Sequence, residues 1–336
     1  MIDRMRGNTR TVAAVVATVL AGVGVATQSR INGELGLRFD DGFTAALVSF
    51  SSGWVVLLLI VLGTARGRAA LARIPAAMRA GELPWWMLLG GAGGAFFVLS
   101  QGLVAGILGV AVFTVAIVSG QTLMGMLADA RGFAGARRTS PTPARLAGAA
   151  MTVVAVGVAV VGDGAASIPW LALVLPLLAG LGIGIQQAMN GRVRQVSGSP
   201  LAATLVNFTV GTAGLVVVTA VHLAVSGLPA APPSELYLYA GGIVGVVFIA
   251  VQAATVGRIG VLLLGMCLVL GQLLGAIVFD SVATLGPALA PQTVAAVVLT
   301  ALGIVVASSD GWRRGHSQRE TGPRGPAEPD TPADQK

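Results

Sequence analysis

The chain has 336 residues, 55% of them hydrophobic and 10% charged, with a formal net charge of +7. Soluble domains carry about 25% charged residues, so the pair of soluble domains that length alone suggests is excluded. A lone cysteine, Cys267, can form no intramolecular disulfide, and no metal-ligand spacing exists.

Nine stretches contain no Asp, Glu, Lys or Arg, and a bilayer-spanning helix needs about 20 predominantly apolar residues. In chain order they predict spans over 11–34, 43–64, 85–105, 108–128, 146–162, 169–190, 200–225, 237–256, 259–279 and 290–308. The third and fourth share one uncharged run, 83–128, with a break near Gly106–Gly109. The expected fold class is an all-α, polytopic membrane protein of ten transmembrane helices. The expected organisation is a cytoplasmic N-terminus over 1–10, a first five-helix unit over 11–162, an external linker at 163–168, a second unit over 169–308 and a tail over 309–336. From Asp310 onward the tail is rich in Pro, Gly and balanced charge, which predicts a disordered cytoplasmic extension.

The basic residues alternate along these spans. The N-terminus holds Arg4, Arg6 and Arg10, and the loop after span two holds Arg66, Arg68, Arg73 and Arg79. The loop after span four holds Arg131, Arg137, Arg138 and Arg145. Arg192 and Arg194 follow span six, Arg258 follows span eight, and five basic residues lie in the tail. Only Arg30 and Arg38 fall on the other side. The positive-inside rule makes the basic side cytoplasmic, so both termini are expected inside. This distribution fits a bilayer partner and no nucleic acid. A basic start followed by an apolar run also resembles a signal peptide, but the first segment belongs to a repeat.

Residues 21–53 align with 179–211 without a gap, at an offset of 158, with eleven of 33 positions identical. Gln28/Gln186, Asn32/Asn190, Gly33/Gly191 and Phe50/Phe208 are among them. The match resumes at an offset of 151, pairing Gly94/Gly245, Phe97/Phe248, Gln101/Gln252, Gly109/Gly260, Gln121/Gln272 and Asp129/Asp280. Five spans per copy is an odd number, so the second copy enters the membrane from the opposite side. Inverted repeats of this kind typify secondary transporters, whose substrate sites lie near the midplane between the halves.

The doubled Q-x-x-x-N-G with its following A-x-L-V-x-F-x-x-G, on ten spans in two fives, resembles the drug/metabolite transporter (DMT) superfamily, and within it the EamA-related, YdcZ-type branch. The resemblance covers about residues 11–308. It implies transport of small metabolites across the bacterial inner membrane. It also implies a central cavity surrounded by the first, third and fourth helices of each half, with the fifth helices peripheral.

Spacing of four puts Gln28 and Asn32 on one helix face, and likewise Gln186 and Asn190. Buried amides cost a few kcal/mol unless hydrogen-bonded, so they should face the bundle interior or a wet cavity. Gln121, Gln272, Gln101 and Gln252 are expected to contact substrate. Gln28, Asn32, Gln186 and Asn190 are expected to gate, one pair near each surface. Helix-to-helix adhesion is the structural alternative for all eight. No carboxylate sits at mid-membrane, where proton-coupled carriers often place one, which favours a neutral or zwitterionic substrate. Asp129, Asp280 and Glu34 are the remaining candidates for coupling. His222 is expected to make a peripheral polar contact, and Trp85, Trp86 and Trp170 to anchor interfaces.

The function expected is secondary transport of a small polar or amphipathic metabolite. A lipid scramblase and a non-transporting scaffold or receptor subunit are the alternatives. No catalytic residues, cofactor or metal are expected, because no nucleophile arrangement, phosphate loop or ligand cluster is present. A homodimer stays open as a partner.

Overall fold

The computed structural model describes residues 2–132, 142–160, 170–282 and 290–320. Among them there is no strand. The helices are α1 (Ile2–Phe39), α2 (Gly42–Gly63), α3 (Ala65–Arg79), α4 (Trp85–Leu108), α5 (Val110–Arg131), α6 (Pro143–Val160), α7 (Trp170–Ser197), α8 (Pro200–Ser226), α9 (Gly241–Ser281) and α10 (Pro291–Glu320). Seven helical segments are long and apolar enough to cross a membrane: Arg10–Phe39, Gly42–Gly63, Trp85–Leu108, Val110–Ala128, Ala172–Ser197, Pro200–Ser226 and Leu264–Ser281. Three shorter apolar helices cover Pro143–Ala159, Leu236–Gln252 and Pro291–Ala307. Each predicted span falls on one of these segments.

Although α9 is helical throughout, it doubles back on itself. Thr18 of α1 donates to Thr255 at 3.0 Å, while the neighbouring Val19 carbonyl lies against Gly271. In a straight helix, residues 255 and 271 would be about 24 Å apart at 1.5 Å per residue. The first arm of α9 therefore runs antiparallel to α1, with Gly241 near Asn32 and Gly245 near Gln28. The second arm runs parallel to it, with Gly271 near Gly22 and Gly275 near Ala26. The reversal separates predicted spans eight and nine. In the first half the equivalent break is sharper: α4 carries a π-helical turn over Gln101–Ala105 shortly before its end at Leu108, and Gly109 takes φ 79°, a conformation that favours glycine.

The contacts between the halves are reciprocal. A Cβ on Gly22 would strike the backbone of Leu268 and Gly271, and one on Gly180 would strike Ile117 and Gly120. These are the same two contacts under the sequence offsets of 158 and 151. Gly53 lies against Phe208 and Gly242, and Gly211 against Phe50 and Gly91. Phe50 and Phe208, which are each other's counterparts, stack with centroids 4.4 Å apart. A residue touching its own counterpart marks a two-fold relation. The first helix of each half packs on the third and fourth helices of the other half, and α6 pairs with α10. Small residues permit this close backbone approach where water supplies no driving force between helices.

Three boundaries differ from expectation. The loop predicted after span two contains α3, an amphipathic helix. Its Ile74 and Ala77 pack with Leu83, Met87, Val193 and Ala203, and its arginines stay exposed. The alternation of small apolar and basic residues there has helical period, which a search for long apolar runs does not detect. Helix α1 begins at Ile2, so residues 2–10 of the N-terminal segment continue the first helix. Helix α10 runs to Glu320, so the extension expected to be disordered from Asp310 starts as helix. Residues 321–336 and the 163–168 linker lie outside the described residues.

Candidate functional site

A cavity of about 90 Å³ lies where α1, α4, α5, α7 and both arms of α9 meet. Its lining is paired by the repeat: Val25 with Ile183, Ser29 with Gln187, Phe97 with Phe248, Ile117 with Leu268, and Gln121 with Gln272. Phe113, Thr114 and Gln252 complete it, and no ionisable side chain takes part. Three of the four expected contact residues, Gln121, Gln272 and Gln252, line this cavity. The fourth, Gln101, does not. It is fully buried at one end, donating through Nε2 to the Ser29 hydroxyl at 2.8 Å and accepting from Asn32 Nδ2 at 2.7 Å. Ser29 itself donates to the Val25 carbonyl.

This cluster seals the Gly33 side of the cavity. Gly33 lies against Ala105 and Gly106, and Gly36 and Gly42 lie against Gly102. Any side chain at Gly33 would collide with the backbone of α4. The counterpart seam is different. A Cβ on Gly191 would face open space, and α7 makes no comparable seam with the first arm of α9 among the described residues. Gln186 and Asn190 instead donate to Asn207 Oδ1 on α8, at 3.0 and 3.3 Å. Gln252, the counterpart of the locked Gln101, is left in the cavity wall beside Gln187.

The expected gating residues thus split by side. Gln28 and Asn32 are buried at the closed seam, with Gln28 against Gly245 and Asn32 against Gly241. Gln186 and Asn190 are half-buried at the other, with Gln186 against Gly94. Of the candidates for coupling, Asp280 and Glu34 do not line the cavity. Both carboxylate oxygens of Asp280 accept backbone N–H groups at the start of α5, from Val110 at 2.9 Å and Ala111 at 2.7 Å. It satisfies two of the four orphan donors that begin every helix. Glu34 accepts from the Tyr237 hydroxyl at 2.9 Å and pairs with Arg38 at 3.6 Å and Arg30 at 4.0 Å. The Asp129 side chain lies outside the described residues. His222 meets Asp41 at 3.2 Å and stacks on Phe43, a peripheral contact as expected.

Sequence reasoning missed Gln187, Ser29, Asn207 and the aromatic wall of Phe97, Phe113 and Phe248. Ser29 and Gln187 occupy equivalent positions, but they differ in identity, so a search for shared polar residues passed over them. Phe97/Phe248 is a repeat pair to which the sequence assigns no role.

Apolar helices packed around an uncharged cavity of apolar, hydroxyl and amide side chains, among the described residues, have the make-up of a multi-pass membrane protein. The model of the family described as "Putative inner membrane exporter, YdcZ" matches the chain over residues 13–158 and again over 171–306. The chain belongs to this family, the YdcZ-type branch of the DMT superfamily, and is a multi-pass inner-membrane protein. No protein with a curated description matches it.

Proposed function

We propose that the protein is a secondary carrier of ten spans, in two inverted five-helix repeats, that exports a small neutral or zwitterionic metabolite by alternating access. The observation that carries this reading is the cavity itself. Its wall is contributed in matched pairs by both halves, and it is sealed at the Gly33 end but not at the Gly191 end. Two halves with the same contacts but opposite seams are what alternating access requires. The reciprocal glycine contacts and the two separate matches of one family model support the repeat. The distribution of arginines supports inside termini, which makes the Gly33 end external and the present state inward-open. Export follows the family's description.

Gln121 and Gln272 are the proposed substrate contacts from the two halves. Each amide offers a carbonyl acceptor and two N–H donors. The phenylalanines supply flat apolar faces. Because the wall has no charge, an ion entering it would have to shed water without a counter-ion, at a high cost. Asp280 and Glu34 are engaged elsewhere and no carboxylate lines the cavity among the described residues, so the reading includes no buried-carboxylate proton exchange.

Proteoliposomes loaded with labelled neutral and zwitterionic amino acids, polyols and purine bases test it, with a quaternary ammonium as the charged control. Saturable efflux of at least one neutral or zwitterionic solute is expected, reduced tenfold or more in Gln121→Ala and Gln272→Ala protein of unchanged yield. Efflux kinetics identical in both variants would remove the contact role.

A further inference from the structure

The closed seam shows what the open one lacks. At the Gly33 end, Asn32 donates to the amide oxygen of Gln101, and the amide nitrogen of Gln101 donates to Ser29. The repeat offsets turn these partners into Asn190, Gln252 and Gln187. All the groups of the second lock are present and unlocked. Gln252 and Gln187 share the cavity wall, and Asn190 stands one turn along α7 from Gln186, on the same helix face. Gly191 faces space where Gly33 meets backbone.

We infer that Gln187, Asn190, Gln252 and Gly191 form a second lock, which closes this end of the cavity when the Gly33 seam opens. The inference rests on the carrier reading above. In the closed form, Asn190 Nδ2 donates to Gln252 Oε1 and Gln252 Nε2 donates to the amide oxygen of Gln187, which replaces the Ser29 hydroxyl as acceptor. Asn190 keeps its bond to Asn207, because an amide NH₂ carries two hydrogens. Gly191 is the positioning residue. Without a Cβ, α7 can approach the first arm of α9 as closely as Gly33 lets α1 approach α4. Gln101 and Gln252 thereby trade places, one locked and one lining the cavity, so the number of satisfied amides is similar in the two states. An exchange of this kind keeps the two states within reach of each other, since each locks one of the two glutamines and leaves the other on the cavity wall. Gln187 also makes the two locks chemically unequal, as an amide is longer and more flexible than a serine hydroxyl.

The test is a distance measurement across the open seam. Spin labels are placed at Arg194→Cys on α7 and Ala254→Cys on α9, both exposed positions, with Cys267→Ser removing the native thiol. Two populations are expected by double electron–electron resonance, the longer one matching this structure. Gly191→Leu abolishes the shorter population, Gln252→Ala lowers it at least fivefold, and Gln101→Ala raises it by weakening the opposing lock. Gly191→Leu also reduces efflux of the labelled panel at least tenfold at unchanged melting temperature, which separates gating from folding. A short population indifferent to Gly191→Leu and Gln252→Ala overturns the inference. So does a single distance in every variant, with or without efflux. Distances that respond as stated in protein that moves no solute would leave the lock standing and overturn the carrier reading instead.

Discussion

The two ends of the cavity are written by nearly the same residues and packed differently. Around Gly33, α1 and α4 meet backbone to backbone, and Asn32, Gln101 and Ser29 close a buried hydrogen-bonded chain. Around Gly191 the backbone is uncovered and the counterpart amides point at Asn207 or the cavity. Similar sequence therefore does not fix one packing. A helix face of glycine and amides is competent for two arrangements, and its neighbours select one. Helix α3, for which 227–235 provides no helical counterpart, packs against Val193 of α7 and Ala203 of α8 and holds the Gly191 end of α7 from the outside.

The sharpest way to break this comparison is to add the same side chain to both seams. Gly33→Leu should drive Leu atoms into the Ala105–Gly106 backbone and destabilise the protein by about 3 kcal/mol, the upper range for overpacking. Gly191→Leu should stay within about 0.5 kcal/mol, since its side chain enters open space. Thermal unfolding of the purified proteins in detergent measures both, and equal losses would contradict the open seam.

Asp280→Ala comes next. It strips two backbone N–H groups at the start of α5 of their carboxylate acceptor, and a loss of about 2 kcal/mol is expected by analogy with helix N-caps. Asp280→Asn, which keeps one acceptor oxygen, should recover part of it. If Asp280→Ala instead melts like the parent while losing transport, the cap is incidental and a coupling role regains ground.

The amide counterparts separate by a smaller margin. Gln101→Ala leaves Asn32 and Ser29 buried without their partner, for a loss of about 1 kcal/mol. Gln252→Ala, on the cavity wall, should be near neutral in the same unfolding experiment. A small loss is expected at the Gly33 end's rim. Arg38, 43% exposed and 3.2 Å from Glu235, should contribute about 0.5 kcal/mol, typical of an exposed ion pair. High salt should erase the difference between Arg38→Ala and the parent protein.

Much of the site was legible in the sequence because rare polar residues in apolar segments are informative. Gln121, Gln272 and Gln252 were found by identity at a fixed offset, and all three line the cavity. Gln101 was found the same way but serves the closed seam, since identity between repeats cannot say which copy is locked. Ser29 and Gln187 were passed over because a shared position with unlike side chains leaves no trace in a list of identities. The candidates for coupling stand out in the sequence by charge alone. Asp280 proves to be engaged by the first turn of a helix 170 positions earlier in the chain, a contact no local pattern signals.

The sequence by itself determined the class of protein, the helical segments and the internal repeat. Hydrophobic run length and periodic polar residues act locally, so they can be read along the chain. The tertiary structure alone decided that α9 folds back, that each half's first helix packs on the other half, and that the Gly33 seam is shut while the Gly191 seam is not. Those outcomes depend on which backbones approach across the bundle, and contacts between residues far apart in the chain leave no local pattern to read.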